Sequence, residues 1–133
     1  MAELSHRDAQ RVLAAAQTEL ERNGSGAAVA VVDAHGELVS FVRVDGCPLP
    51  SITNAINKAY TAARERKASR EIGDASRREG FPITNFGDLR YTGWGGGVPL
   101  VVGGEVIGAV GVSGLPEEDD MRIAADAAAV LAG

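Results

Sequence analysis

Cysteine is almost absent: Cys47 is the only one in 133 residues. An intramolecular disulfide is therefore excluded. Cys47 with the two histidines, His6 and His35, is also a poor ligand set for a structural metal. Positive charge is in the minority, with 13 Lys and Arg against 18 Asp and Glu for a net charge of −5. Such a balance lacks the basic footprint of a nucleic-acid-binding domain. No apolar run approaches the ~18 residues of a membrane helix. The polar start, MAELSHRDAQ, lacks the charged-then-apolar order of a signal peptide. These absences predict a cytoplasmic protein with neither a membrane nor a nucleic-acid partner.

Aromatic residues make up only 5% of the chain, yet Phe81, Phe86, Tyr91 and Trp94 crowd into one irregular stretch, GFPITNFGDLRYTGWGGG, at 80–97. Glycine is in excess, at 17 residues. The length fits one domain, 1–133, and an apolar content of 45% supplies a core without cross-links.

The chain opens with a helix. Ser5 and Asp8 resemble a capping box, Ala9, Val12, Leu13, Ala16 and Leu20 recur at helical spacing, and Asn23-Gly24 is a stop. Residues 27–33 and 37–44 read as strands around a turn at Gly36, with neither face of the second plainly polar. Pro48 and Pro50 mark a loop, and Ser51 is the expected cap of a second helix. That helix carries the stripe Ile52, Ala55, Ile56, Ala59, Tyr60 and Ala63. The charged run from Arg64 to Arg78 continues as helix, with a break expected near Gly73. Gly103-Gly104 joins strands 98–102 and 105–114 as a hairpin, and a last helix starts in the acidic cluster Glu117–Asp120. The order α-β-β-α-(irregular)-β-β-α points to an antiparallel sheet.

Several blocks resemble one family. They are Val32-Asp33-x-x-Gly36-x-Leu38, Arg43-x-Asp45-Gly46, Lys58-Ala59-Tyr60-Thr61-Ala62-Ala63, Gly95-Gly96-Gly97-Val98-Pro99-Leu100, Val106-Ile107-Gly108-Ala109-Val110-Gly111-Val112-Ser113-Gly114 and Asp120-x-x-Ile123-Ala124. In this order they look like the GlcG/HbpS family, also known as PduO C-terminal-like. The resemblance implies an α+β domain, profilin-like, with a five-stranded antiparallel sheet and helices on both faces. It implies homo-oligomers, from dimers to octamers. It also implies that haem is a possible cofactor.

The residues themselves offer two kinds of site. Gly95, Gly96 and Gly97 beside Trp94 either form a tight bend or cradle a ligand with backbone N–H groups. Phe81, Phe86 and Tyr91 either form a satellite core or line a pocket. Arg43 and Lys58 sit in apolar surroundings and want partners: Asp33, Asp45 or Asp120, or else a ligand carboxylate. A pocket shared by Arg43 and the Trp94–Gly97 segment is expected. Residues 81–97 and the 45–51 loop are expected to wall the pocket, and Cys47 in the latter is either a small, partly buried thiol or a ligand contact, nucleophile or metal ligand. For haem iron, His6 on the first helical turn is preferred over His35 at a hairpin tip, with Tyr91 and Cys47 as rivals. Gly108 and Gly111 are expected to admit a close neighbour.

The expected function is small-molecule binding, the ligand being haem or another tetrapyrrole, or a small aromatic or carboxylic acid. The alternatives are a metal-independent lyase or isomerase on a small carboxylic acid, using Asp33, Asp45, Lys58, Tyr91 or Asp120 as acid–base groups, and a ligand-free assembly subunit.

Overall fold

Helix α1 (His6–Asn23) begins where Ser5 Oγ accepts the Asp8 N–H at 3.1 Å and ends at Gly24 in the left-handed region. In the computed structural model, which describes residues 3–132, its buried stripe is Ala9, Val12, Ala16 and Leu20. Strands β1 (Ala28–Asp33) and β2 (Leu38–Arg43) form the first hairpin. Helix α2 (Pro50–Glu65) and helix α3 (Ser69–Glu79) follow, then a 3-10 turn at Ile83–Phe86. Strands β3 (Gly97–Val102) and β4 (Glu105–Ser113) form the second hairpin, and α4 (Glu117–Ala128) closes the fold.

Among the described residues the sheet has four strands in the order β2-β1-β4-β3, every pair antiparallel. The family resemblance implied five, so the count is corrected to four. Residues 80–96, between α3 and β3, add no strand to this sheet. Pro82 and the left-handed Gly80, Gly87 and Gly96 break the period-two geometry that a strand needs.

Helices cover both faces. Val29, Val31, Val110, Val112 and Leu100 pack with α1 and α4, whereas Ala28, Ala30, Val32 and Ala109 pack with α2. This division explains the small residues of α2, where Ala55, Ala59, Ala62 and Ala63 let the helix axis come close to the sheet. Gly111 carries the approach to its limit: a Cβ there would lie 2.2 Å from the Ala55 carbonyl oxygen.

Two helix boundaries differ from the sequence expectation. Ser51 lies inside α2, which starts one residue earlier with Pro50 and has no side-chain cap. The chain breaks at Arg66 (φ 59), not at Gly73. Gly73 stays within α3 because its bare Cα is needed elsewhere: a Cβ there would lie 2.2 Å from the Gly93 carbonyl oxygen.

Candidate functional site

Residues 80–97 are irregular but fixed. Ser69 Oγ donates to the Trp94 carbonyl at 2.7 Å and accepts the Gly97 N–H at 2.9 Å. Thr61 Oγ1 accepts the Thr92 N–H at 3.0 Å. Tyr60 donates its hydroxyl hydrogen to Asp88, while Arg90 Nη2 donates to the same hydroxyl at 2.7 Å. Tyr91 donates to Glu65, and its hydroxyl is pushed up to about 12 by burial and by that carboxylate. Phe86 stacks on Tyr91 with ring centroids 4.8 Å apart, and Phe81 meets Phe86 edge-on at 6.0 Å. The aromatic group thus packs on itself while Trp94 stays 64% exposed.

Beneath Trp94 lies a buried ion pair. Lys58 and Asp120 are 4% and 2% exposed. Lys58 Nζ donates to Asp120 Oδ2 at 3.1 Å and to the Val112 carbonyl at 2.9 Å. Asp120 Oδ1 accepts the Leu115 N–H at 3.1 Å. Burial raises the Asp120 pKa, and the nearby Lys58 ammonium opposes that rise. A cavity of about 240 Å³ opens onto the pair, walled by Ser51, Asn54, Trp94, Ser113 and Glu117 among others. A second cavity, of about 400 Å³, is bordered by Trp94, Tyr91, Ile83, Arg77 and Gly93.

The glycines after Trp94 serve close approach. A Cβ on Gly96 (φ 128) would lie 2.5 Å from the Val112 carbonyl oxygen and 3.0 Å from Lys58 Nζ. One on Gly97 would lie 2.1 Å from the Lys58 carbonyl oxygen. The Gly95 N–H is donated to Glu117 Oε2, whose other oxygen accepts from Arg70 Nη1 at 3.3 Å.

A third cavity, of about 490 Å³, lies at the opposite end of β4, under the β1–β2 turn. Leu4, Val106 and Ile107 supply apolar wall, and His35 and Arg66 border it. The turn is held from both sides. Asp33 Oδ1 accepts the N–H groups of His35 and Glu37 at 2.8 and 3.1 Å. Arg66 Nη1 donates to the Ala34 carbonyl at 2.9 Å. His35 Nδ1 stands 4.0 Å from Asp33 Oδ1.

Of the residues singled out from the sequence, the structure brings together Lys58, Asp120, Trp94 and the three glycines. Arg43 is exposed at the end of β2, one edge of the sheet, while Gly97 begins β3, the other edge. The register Phe41–Ala30–Gly111–Gly97 separates them by three strand spacings, roughly 14 Å. Arg43 and Trp94 therefore do not share a pocket; Arg43 borders another hollow with Asp45. Cys47 is half-buried, donates to the Pro48 carbonyl at 3.2 Å, and has its thiol pKa raised by burial against a smaller lowering from Arg43. His6 is exposed on the first turn of α1, two residues beyond the cavity-lining Leu4. Sequence reasoning missed Ser69, Glu117 and Arg66. Arg66 and Ser69 lay in the Arg64–Arg78 run and Glu117 in the acidic cluster at the start of the last helix, stretches read only as helix.

The family model for the haem-degrading protein HbpS-like matches residues 4–129. The chain belongs to the HbpS-like family. It is 39% identical over 132 residues to the protein GlcG of Escherichia coli K12, covering 97% of this chain and 95% of that one. A crystal structure of an HbpS double mutant from Streptomyces reticuli superposes with TM-score 0.89 at 28% identity, covering 98% of this chain and 88% of that one. A crystal structure of a PduOC–haem complex superposes with TM-score 0.87 at 30% identity, covering 96% and 94%. Haem binding is thus found within this family.

Proposed function

We propose that this chain is a small-molecule-binding protein whose ligand is haem, taken up in the cavity beside His35. The observation that carries the reading is the placement of that imidazole. It borders the roomiest of the three cavities above, about 490 Å³, within the ~300–1,000 Å³ of small-molecule pockets. Haem iron accepts His, Met, Cys or Tyr. Among the rivals, Tyr91 has its hydroxyl committed to Glu65 with a raised pKa, and Cys47 favours the uncharged thiol, so neither is set up as an anionic ligand. His35 keeps its ring nitrogens accessible: the imidazole is 88% exposed, and Asp33 Oδ1, 4.0 Å from Nδ1, is beyond hydrogen-bond reach.

Part of the remaining lining suits the group: Leu4, Val106 and Ile107 offer an apolar wall to a macrocycle and the Arg66 guanidinium suits a propionate. The carboxylates of Glu3, Asp33 and Glu105 on the same lining oppose one, so the propionates must point to Arg66 or to solvent. The sequence favoured His6 because a hairpin tip is ordinarily wet and mobile. Here the backbone of the tip is tied down by Asp33 and Arg66, which answers the objection of mobility, although the imidazole itself stays exposed. The PduOC–haem complex, at 30% identity, supports the ligand class. Titrating the purified protein with haem and following the Soret band tests the reading. A saturable, shifted band at a fixed stoichiometry is expected. A spectrum equal to that of free haem at every ratio would refute it.

A further inference from the structure

The cavity under Trp94 is separate from the His35 cavity, and its chemistry is different. An ammonium group carries three donors. Lys58 Nζ spends two of them, on Asp120 Oδ2 at 3.1 Å and on the Val112 carbonyl at 2.9 Å. Among the described residues no side chain or carbonyl takes the third, and Lys58 is one of the residues lining the cavity. Gly96 keeps the approach open, since a Cβ there would stand 3.0 Å from Nζ. A buried, charged donor with one hydrogen to spare, facing a hollow, calls for an acceptor oxygen.

The charge around it decides what kind of oxygen. Lys58 is matched by Asp120 at 3.1 Å, and Arg70 is matched by Glu117 at 3.3 Å and Asp74 at 3.0 Å. The site offers a donor without surplus positive charge. A carboxylate entering it must shed its tightly held hydration and finds no unpaired cation in return. An uncharged carbonyl gives up far less hydration and still accepts the third N–H. Trp94 adds a flat, largely exposed indole face for a conjugated ring. Ser51, Asn54 and Ser113 supply polar contacts around the carbonyl end.

We infer that this cavity binds a small uncharged carbonyl compound, a conjugated amide, aldehyde or ketone. Its oxygen sits on Lys58 Nζ and its ring lies on Trp94. The site discriminates against the matching carboxylate. This inference reverses the sequence expectation of a carboxylic acid at Lys58, and the reason is Asp120.

Benzamide and benzoate are near-isosteres that differ in charge, and Trp94 is the chain's one tryptophan, so its indole N–H gives a single NMR cross-peak. Each compound is titrated into the labelled full-length protein. Benzamide is expected to move the peak saturably, with benzoate at least tenfold weaker. Lys58→Met is expected to weaken benzamide about tenfold or more. Should that variant fail to fold, Lys58→Met with Asp120→Asn removes both charges while keeping an acceptor for the Leu115 N–H. Benzoate binding as tightly as benzamide, neither compound moving the peak, or benzamide binding unchanged in the folded variant would each overturn the inference. None of these outcomes depends on haem, so a failed Soret titration and a failed benzamide titration are separate results.

Discussion

Lys58→Met is the sharpest probe of what holds the Trp94 side of the molecule together. The substitution keeps most of the aliphatic stem and removes the ammonium. Asp120, 2% exposed, then loses its one charge partner among the described residues and keeps the Leu115 N–H on Oδ1. The Val112 carbonyl also loses a donor. Breaking a buried pair by removing one member costs about 3–5 kcal/mol, because the other charge stays buried alone. At about 3–4 °C per kcal/mol for a domain of this size, Tm should fall by about 10–20 °C. The pH dependence gives the loss its signature. Burial raises the Asp120 pKa above its ordinary 3.8, and in the wild type Lys58 opposes that rise. Without Lys58 the rise grows. A carboxyl whose folded pKa is raised favours folding most below the unfolded value, and that favour is lost as pH rises through the folded value. The gap between variant and wild type should therefore be widest near neutrality and narrow as pH falls toward 4. Urea unfolding of both proteins across that range reads it directly. A gap under 1 kcal/mol at neutral pH, or one independent of pH, would refute the claim that Asp120 is held as a buried, charged partner.

Three further outcomes follow from the packing. Gly111→Ala places a methyl 2.2 Å from the Ala55 carbonyl oxygen, and overpacking there should cost about 1–3 kcal/mol by denaturant unfolding; an unchanged midpoint contradicts the contact between α2 and β4. The Tyr60 hydrogen bond is the largest cause holding the Asp88 carboxyl below its ordinary value. Its contribution is present above that value and lost as pH falls through the lower folded one, so Tyr60→Phe should destabilise at neutral pH and converge with wild type in acid. Light scattering should return a homo-oligomer, since β2 and β3 are open sheet edges and Leu38 and Val101 on them are 50% and 44% exposed. A mass of 13.7 kDa at micromolar concentration would contradict that.

The fold was legible where local chemistry decides it. Ser5, Gly24, Gly36 and Gly103-Gly104 announce their caps and turns, and all five elements that they bound or join appear within a residue or two. Boundaries failed where a distant segment overrides a local preference. Gly73 reads as a breaker until Gly93, 20 residues on, comes to rest against its Cα. The site was half legible for the same reason. A lysine in an apolar helix stripe announces that it needs a partner, but Asp33, Asp45 and Asp120 were equal choices until the topology set α2 and α4 at the two sides of one strand end. Arg43 looked buried because its strand is apolar on both faces. Its place at the end of an edge strand, which no local pattern encodes, leaves it exposed. The His35 cavity had no sequence signal, because its walls come from Leu4, Arg66 and Ile107, far apart in the chain.

The central claim is haem held through His35, and ligand rescue tests it most directly. His35→Ala and His6→Ala are each titrated with haem, and His35→Ala is repeated with millimolar imidazole. The account predicts that His35→Ala loses the shifted Soret band, that imidazole restores it, and that His6→Ala keeps it. A wild-type spectrum from His35→Ala, with the band lost in His6→Ala instead, would contradict it.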